Sequence, residues 1–161
     1  MSHSETERKA VIDEAIRNHA NRPGGLLPLL HEIQNTLGWV PPEATTTIAG
    51  AFNLSRAEVH GVITFYHHFR THAPGRHVVQ VCRAESCQAM GGANLEAHAR
   101  ASLGVDWHET TADGAITLEP VYCLGNCACS PAIRGNDDMV GRVSCERFDE
   151  VVAQLRDEVT A

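Results

Sequence analysis

Two ten-residue stretches decide how this chain folds: V-V-Q-V-C-R-A-E-S-C over 78–87 and L-E-P-V-Y-C-L-G-N-C over 118–127. In each, an apolar run of strand character ends on a cysteine, and a second thiol follows within one turn of chain. The spacings are C-x4-C and C-x3-C, with 35 residues between the pairs. Two strand ends that each deliver two thiols can surround one metal centre. Four thiolates is the ligand count of a [2Fe–2S] cluster, two per iron, and also of a structural zinc ion.

Spacing narrows the choice. Zinc ribbons usually use C-x2-C knuckles, and a thioredoxin-type redox dithiol needs C-x-x-C. The plant-type ferredoxin run C-x4-C-x2-C is also absent. The pattern favours an iron–sulfur cluster and leaves zinc open. Gly91-Gly92 after the first pair and Gly125-Asn126 inside the second let backbone N–H groups approach sulfur, which helps set a cluster's potential.

Working outward, the period changes at His72-Ala73-Pro74-Gly75. Before it the chain reads as helical. Ser4 and Glu7 form a capping-box pattern ahead of Val11, Ile12, Ala15 and Ile16. Pro23-Gly24-Gly25 ends that helix. Leu26, Leu29, Leu30, Ile33 and Leu37 keep one apolar face up to Gly38. Pro41-Pro42 opens a third helix carrying Ile48, Ala51 and Phe52. Ser55 and Glu58 cap a fourth, with Val59, Val62 and Ile63. Residues 1–72 are therefore expected to form a four-helix bundle domain.

After the seam, His77 to Val81 reads as a buried strand and Asn94 to Leu103 as a helix striped by Leu95, Ala99 and Leu103. Trp107 to Thr111 and Ala115 to Tyr122 flank Asp113-Gly114 as a hairpin. Ile133 and Val140 to Val143 suggest a second hairpin around Asn136-Asp137. Phe148, Val151, Val152, Leu155 and Val159 stripe a closing helix. The order β-α-β-β-β-α predicts a thioredoxin-like layer over 73–161 and an α+β fold for the whole chain.

The charge follows the same division. Of a net −7, residues 1–72 hold 7 acids against 6 bases and residues 73–161 hold 13 against 7. That balance argues against nucleic acid or an anionic membrane as partner. The polar start M-S-H-S-E-T-E-R-K has no signal-peptide apolar region, and no apolar run is long enough to span a bilayer. Six cysteines without an export signal point to the reducing cytoplasm, where clustered thiols bind metal or do redox work.

Other residues carry weaker signals. There is no G-x-G-x-x-G, P-loop or G-x-S-x-G, so no nucleotide, flavin or substrate site of the chain's own is expected, and no catalytic residue. His67-His68 and His72 are a poor chelate, because neighbouring helical residues face different ways. Phe65, Tyr66 and Phe69 suit a core or a subunit contact, and Trp39 closes the second helix. Asp137-Asp138 reads as a turn. Cys129, two residues past Cys127, is a competing candidate ligand but reads first as a small buried thiol, and Cys145 reads as a residue heading the last helix.

As a set, C-x4-C, then C-L-G-x-C followed by Pro131, resembles the thioredoxin-like [2Fe–2S] proteins. The small flavoprotein-associated subunit of NADH:quinone oxidoreductase is the nearest group. L-G-W-V-P at 37–41, G-V-x-T-F-Y at 61–66 and G-R-H-V at 75–78 extend the likeness to most of the chain. C-R-A-E-S-C-Q-A-M-G at 82–91 is similar to the gamma subunit of soluble molybdenum-dependent, NAD-linked formate dehydrogenases. The resemblance implies that Cys82, Cys87, Cys123 and Cys127 ligate one [2Fe–2S] cluster. It also implies docking on a flavoprotein subunit that holds FMN and binds NAD. A molybdenum-containing catalytic subunit with molybdopterin would oxidise formate, and further Fe–S clusters would lie on partner subunits. The expectation is an electron-transfer subunit of an NAD-dependent formate dehydrogenase. The alternatives are the equivalent subunit of an NADH:quinone oxidoreductase or NAD-linked hydrogenase, or a zinc-stabilised docking module.

Overall fold

A computed structural model describes residues 3–158. The chain divides into two compact units, Met1–Ala73 and Pro74–Ala161.

The first unit is built from α1 (Glu5–His19), α2 (Leu26–Leu37), α3 (Ala44–Phe52) and α4 (Arg56–Phe65). Both expected capping boxes are present. Ser4 and Ser55 accept from the N–H groups of Glu7 and Glu58, whose carboxylates return to the cap N–H groups. Gly38 ends α2 at φ 84, a left-handed conformation that costs glycine little. Ile12, Ala15, Leu29, Leu30, Ile33, Ile48, Val59 and Ile63 form the core. On α3 the inward small residue is Ala49, while Ala51 is exposed, because α3 turns the i+1 position of Ile48 toward its neighbours. Buried Gln34 donates to the His68 carbonyl and accepts from the Arg70 N–H at 2.7 Å, fixing the segment after α4 against α2. Phe69 is buried; Phe65 and Tyr66 are exposed.

The second unit holds a four-stranded sheet in the order β2-β1-β3-β4. β1 (His77–Cys82) and β2 (Ile116–Val121) are parallel; β3 (Ala132–Gly135) pairs antiparallel with β1 and with β4 (Asp138–Gly141). Between β1 and β2 the chain crosses through α5 (Glu85–Ala89) and α6 (Gly92–Leu103), and α7 (Cys145–Asp157) closes the unit. Val79, Val81, Ile116, Leu118 and Ile133 bury the sheet against Leu95, Ala99, Phe148, Val151 and Leu155. The element order is the expected one, with three differences. β1 alternates buried and half-buried residues instead of being buried throughout. Trp107 to Thr111 is not a regular strand, yet it runs antiparallel along the edge of β2 that β1 leaves free. It makes one isolated bridge from Thr110 to Thr117, and the N–H groups of His108 and Thr111 donate to the Leu118 and Ile116 carbonyls. α5 is too short for its periodicity to show in the sequence. Val159 lies outside the described residues. Among the described residues no helix is long and apolar enough to cross a membrane.

Candidate metal centre

Parallel pairing brings the two cysteine stretches to one end of the sheet. Cys82 is the last residue of β1 and stands in register with Val121, the last of β2. Cys123 follows two residues later. α5 then turns the chain so that Cys87 comes back beside Cys82; both are buried, at 3% and 2% exposure, against Ala132, with Ala84, Val121 and Leu124 around them. The second pair is different. Cys123 and Cys127 are exposed, on a loop that closes in a single 3-10 turn over Cys127–Cys129. Their sulfurs lie 3.8 Å apart.

The loop is held in an unusual backbone shape. Cys123 has φ 112, a conformation non-glycine residues rarely adopt and one that tends to occur where function demands it. Gly125, at φ 80, directs its N–H to Cys123 Sγ at 3.3 Å. Cys82 gathers more donors. Burial pushes its thiol up, but the backbone N–H groups of Ala84, Leu124 and Cys123 and the Cys87 thiol together bring it below the ordinary thiol value. Cys87 moves the other way, raised chiefly by burial although the Ser130 hydroxyl opposes this. Cys127 is raised chiefly by its hydrogen bond with Cys123 and by that neighbour's charge, with the charges of Cys87 and Cys82 adding to it.

This donor set fits a [2Fe–2S] group. Two thiolates on one tetrahedral metal, with metal–sulfur bonds near 2.3 Å, are about 3.8 Å apart. Cys123 and Cys127 already hold that separation. Cys82 and Cys87, buried together in one small apolar cluster, make the second pair. N–H groups aimed at sulfur stabilise the thiolate form that a metal requires.

Several neighbours carry no sequence motif. Arg83, next to Cys82, donates from Nε to Glu96 Oε2 at 3.0 Å and lies 5.2 Å from the Trp107 ring centre and 5.9 Å from that of Tyr122. Gln88 also hydrogen-bonds Glu96. Ser86 and Ser130 bridge the two cysteine pairs through the Cys127 carbonyl. Knowledge that β1 and β2 are parallel would have exposed Arg83 and Tyr122, since they flank the first cysteine of each pair at adjacent strand ends. The expected Gly91-Gly92 donors are not found at sulfur. Gly91 N–H goes to the Gln88 carbonyl, and Gly92 instead allows close approach: a Cβ there would sit 2.6 Å from the Cys87 carbonyl oxygen. Cys129 is half-buried, its Cβ facing Gly141. Cys145 heads α7 behind the Ser144 cap. In the helical unit His68 packs 5.1 Å from the His31 ring, and His72 Nδ1 lies 3.1 Å from Thr71 Oγ1. Among the described residues no three His, Cys, Asp or Glu side chains are grouped as a single metal ion would need.

Residues 12–156 match the family model described as thioredoxin-like [2Fe-2S] ferredoxin. The chain is 35% identical over 140 residues to an NADH-quinone oxidoreductase subunit of Pseudomonas aeruginosa, covering 87% of this chain and 84% of that protein. It is 34% identical over 136 residues to NADH-quinone oxidoreductase subunit 2 of Thermus thermophilus, covering 84% and 75%. Among solved structures it is similar to a chain of an NAD+-reducing [NiFe]-hydrogenase in the H2-reduced state, with a TM-score of 0.69 and 25% identity. That likeness covers 84% of this chain but only 23% of the hydrogenase chain, so this chain spans about a quarter of its length.

Proposed function

Since the chain belongs to the thioredoxin-like [2Fe–2S] ferredoxin family, we propose that it is the electron-relay subunit of a multi-subunit NAD-linked oxidoreductase. Its cluster would be held by Cys82 and Cys87 on one iron and by Cys123 and Cys127 on the other. The observation that carries this reading is the two-and-two arrangement of thiols at the ends of parallel strands, with N–H groups already directed at sulfur. When bound, a [2Fe–2S] cluster supplies one-electron transfer. The chain's own residues bind it, keep one pair of ligands out of water and leave the other pair at the surface.

The partner is a flavoprotein subunit with FMN that handles hydride at NAD, in the cytoplasm. Among the sister complexes, the names of the relatives support NADH:quinone oxidoreductase or NAD-linked hydrogenase over formate dehydrogenase. The formate reading, with its molybdenum subunit, rests on the stretch 82–91 alone. Assays of the assembled complex with NADH plus quinone, with hydrogen and with formate separate the three.

Redox-titrated EPR with iron, sulfide and zinc analysis of the isolated chain tests the relay itself. An acidic unit disfavours added negative charge, so the expected signal appears only at low potential, about −400 mV or below. A silent spectrum after dithionite with stoichiometric zinc supports the structural docking module instead. The isolated chain should turn over neither NADH nor formate.

A further inference from the structure

Two hydroxyls lie between the cysteine pairs. Ser130, 8% exposed, places Oγ 3.5 Å from Cys87 Sγ and 2.9 Å from the Cys127 carbonyl oxygen. Ser86, on α5, places Oγ 2.9 Å from Ser130 Oγ and 3.1 Å from the same carbonyl.

The hydrogens can be counted. With Cys87 as a thiol, its one hydrogen is within reach of Ser130 Oγ, and the Ser130 hydrogen goes to the Cys127 carbonyl. A metal-bound Cys87 is a thiolate and has no hydrogen to give. It can only accept, and the Ser130 hydroxyl is within reach. Turning that hydrogen to sulfur releases the Cys127 carbonyl, which Ser86 already reaches as a donor. Two hydrogens then serve two acceptors, and no polar atom of the set is left unpaired.

We propose, resting on the cluster reading above, that Ser130 donates to the Cys87 sulfur in the loaded protein and raises the reduction potential, with Ser86 freeing it to do so. Reduction adds negative charge to a centre already ringed by thiolates. A donor on sulfur stabilises the more negative state more, and burial strengthens the effect. Ser130 is thus a positioning and tuning residue outside the ligand set.

The test uses the full cluster-loaded chain as wild type, Ser130→Ala, Ser130→Thr and Ser86→Ala. Midpoints come from redox-titrated EPR, and exchangeable protons near the cluster from pulsed EPR in H2O and D2O. Ser130→Ala should shift the midpoint to more negative values by several-fold in the reduction equilibrium, tenfold being about 59 mV for one electron. It should also lose one exchangeable-proton coupling. Ser130→Thr should keep both. Ser86→Ala should shift the midpoint in the same direction by less, because Ser130 then divides its hydrogen between sulfur and carbonyl. A wild-type chain without a reducible cluster overturns the cluster reading and this proposal together. A reducible wild-type cluster with midpoint and proton coupling unchanged in Ser130→Ala overturns the proposal alone. If Ser130→Ala takes up no cluster, Ser86→Ala decides: a negative shift supports the proposal and an unchanged midpoint overturns it.

Discussion

Cys82 stands opposite Val121 at the ends of parallel strands β1 and β2, so Cys123 emerges two residues beyond a strand that stops level with the first thiol. That register sets which sulfurs meet. Single Cys→Ser changes at Cys82, Cys87, Cys123 and Cys127 should each abolish or strongly perturb the cluster, since serine is a harder ligand for iron. Cys145→Ser and Cys129→Ser should leave it intact. Absorbance and iron and sulfide content after reconstitution are the measurements. Loss in Cys129→Ser with retention in Cys127→Ser would move the ligand set by one residue.

Arg83 ties the first strand end to α6 through Glu96, whose side chain is only 14% exposed. The same guanidinium lies near the rings of Trp107 and Tyr122. Arg83→Met should destabilise the second unit by about 1–2 kcal/mol, between the values for exposed and buried pairs. Urea unfolding of the cysteine-intact apo chain reads this. Arg83→Lys should recover less than half of it, lacking the planar group.

Gly141 lies under the second cysteine loop. A Cβ there would be 2.6 Å from Cys129 Cβ and 2.8 Å from the Cys129 carbonyl oxygen. Gly141→Ala should cost about 1–3 kcal/mol through overpacking and reduce cluster occupancy. Gly50→Ala is the contrast. Gly50 is inside α3 and its Cβ would meet nothing within 4 Å. That change should stabilise the helical unit by about 0.5–1 kcal/mol. Thermal melts of both variants give the two signs.

The capping boxes make the helical unit acid-sensitive. Glu7 and Glu58 are held below their ordinary value of 4.5, chiefly by the backbone N–H groups of Ser4 and Ser55 and then by the serine hydroxyls. Their folded pKa values are depressed. The stability they confer is therefore complete above 4.5 and is lost as pH falls through the folded values. Circular dichroism melts between pH 6 and about pH 3 should show that loss. Glu58→Gln keeps an acceptor without the charge, and should flatten part of the slope.

What the sequence made legible was periodic or local. Ser4 with Glu7 and Ser55 with Glu58 announce helix starts because both halves of the motif lie within four residues. Leu29, Leu30 and Ile33 mark a buried face for the same reason. Asn136 with Asp137 turns β3 into β4 as expected, with Asn136 at φ 50. The apolar runs ending near Cys82 and Cys123 pointed to two strand ends, and those ends do lie side by side in the sheet. The misses are all tertiary. Trp107 to Thr111 has strand composition and does pair with the free edge of β2, but only through one bridge and a few hydrogen bonds rather than a regular ladder. Gly91-Gly92 looked like a source of N–H groups for sulfur, yet Gly91 gives its N–H to the Gln88 carbonyl, whereas Gly125 in the second stretch does reach Cys123 Sγ. Ser130 and Gln34 act through partners 43 and 34–36 residues away, beyond any local pattern.

The uneven shelter of the two thiol pairs gives the unloaded chain a front and a back. Cys82 and Cys87 are sealed behind Ala132, whereas Cys123 and Cys127 meet the surroundings directly. A thiol reagent arriving from solvent meets the outer pair first. Timed alkylation followed by peptide mapping should therefore label Cys123 and Cys127 before Cys82 and Cys87.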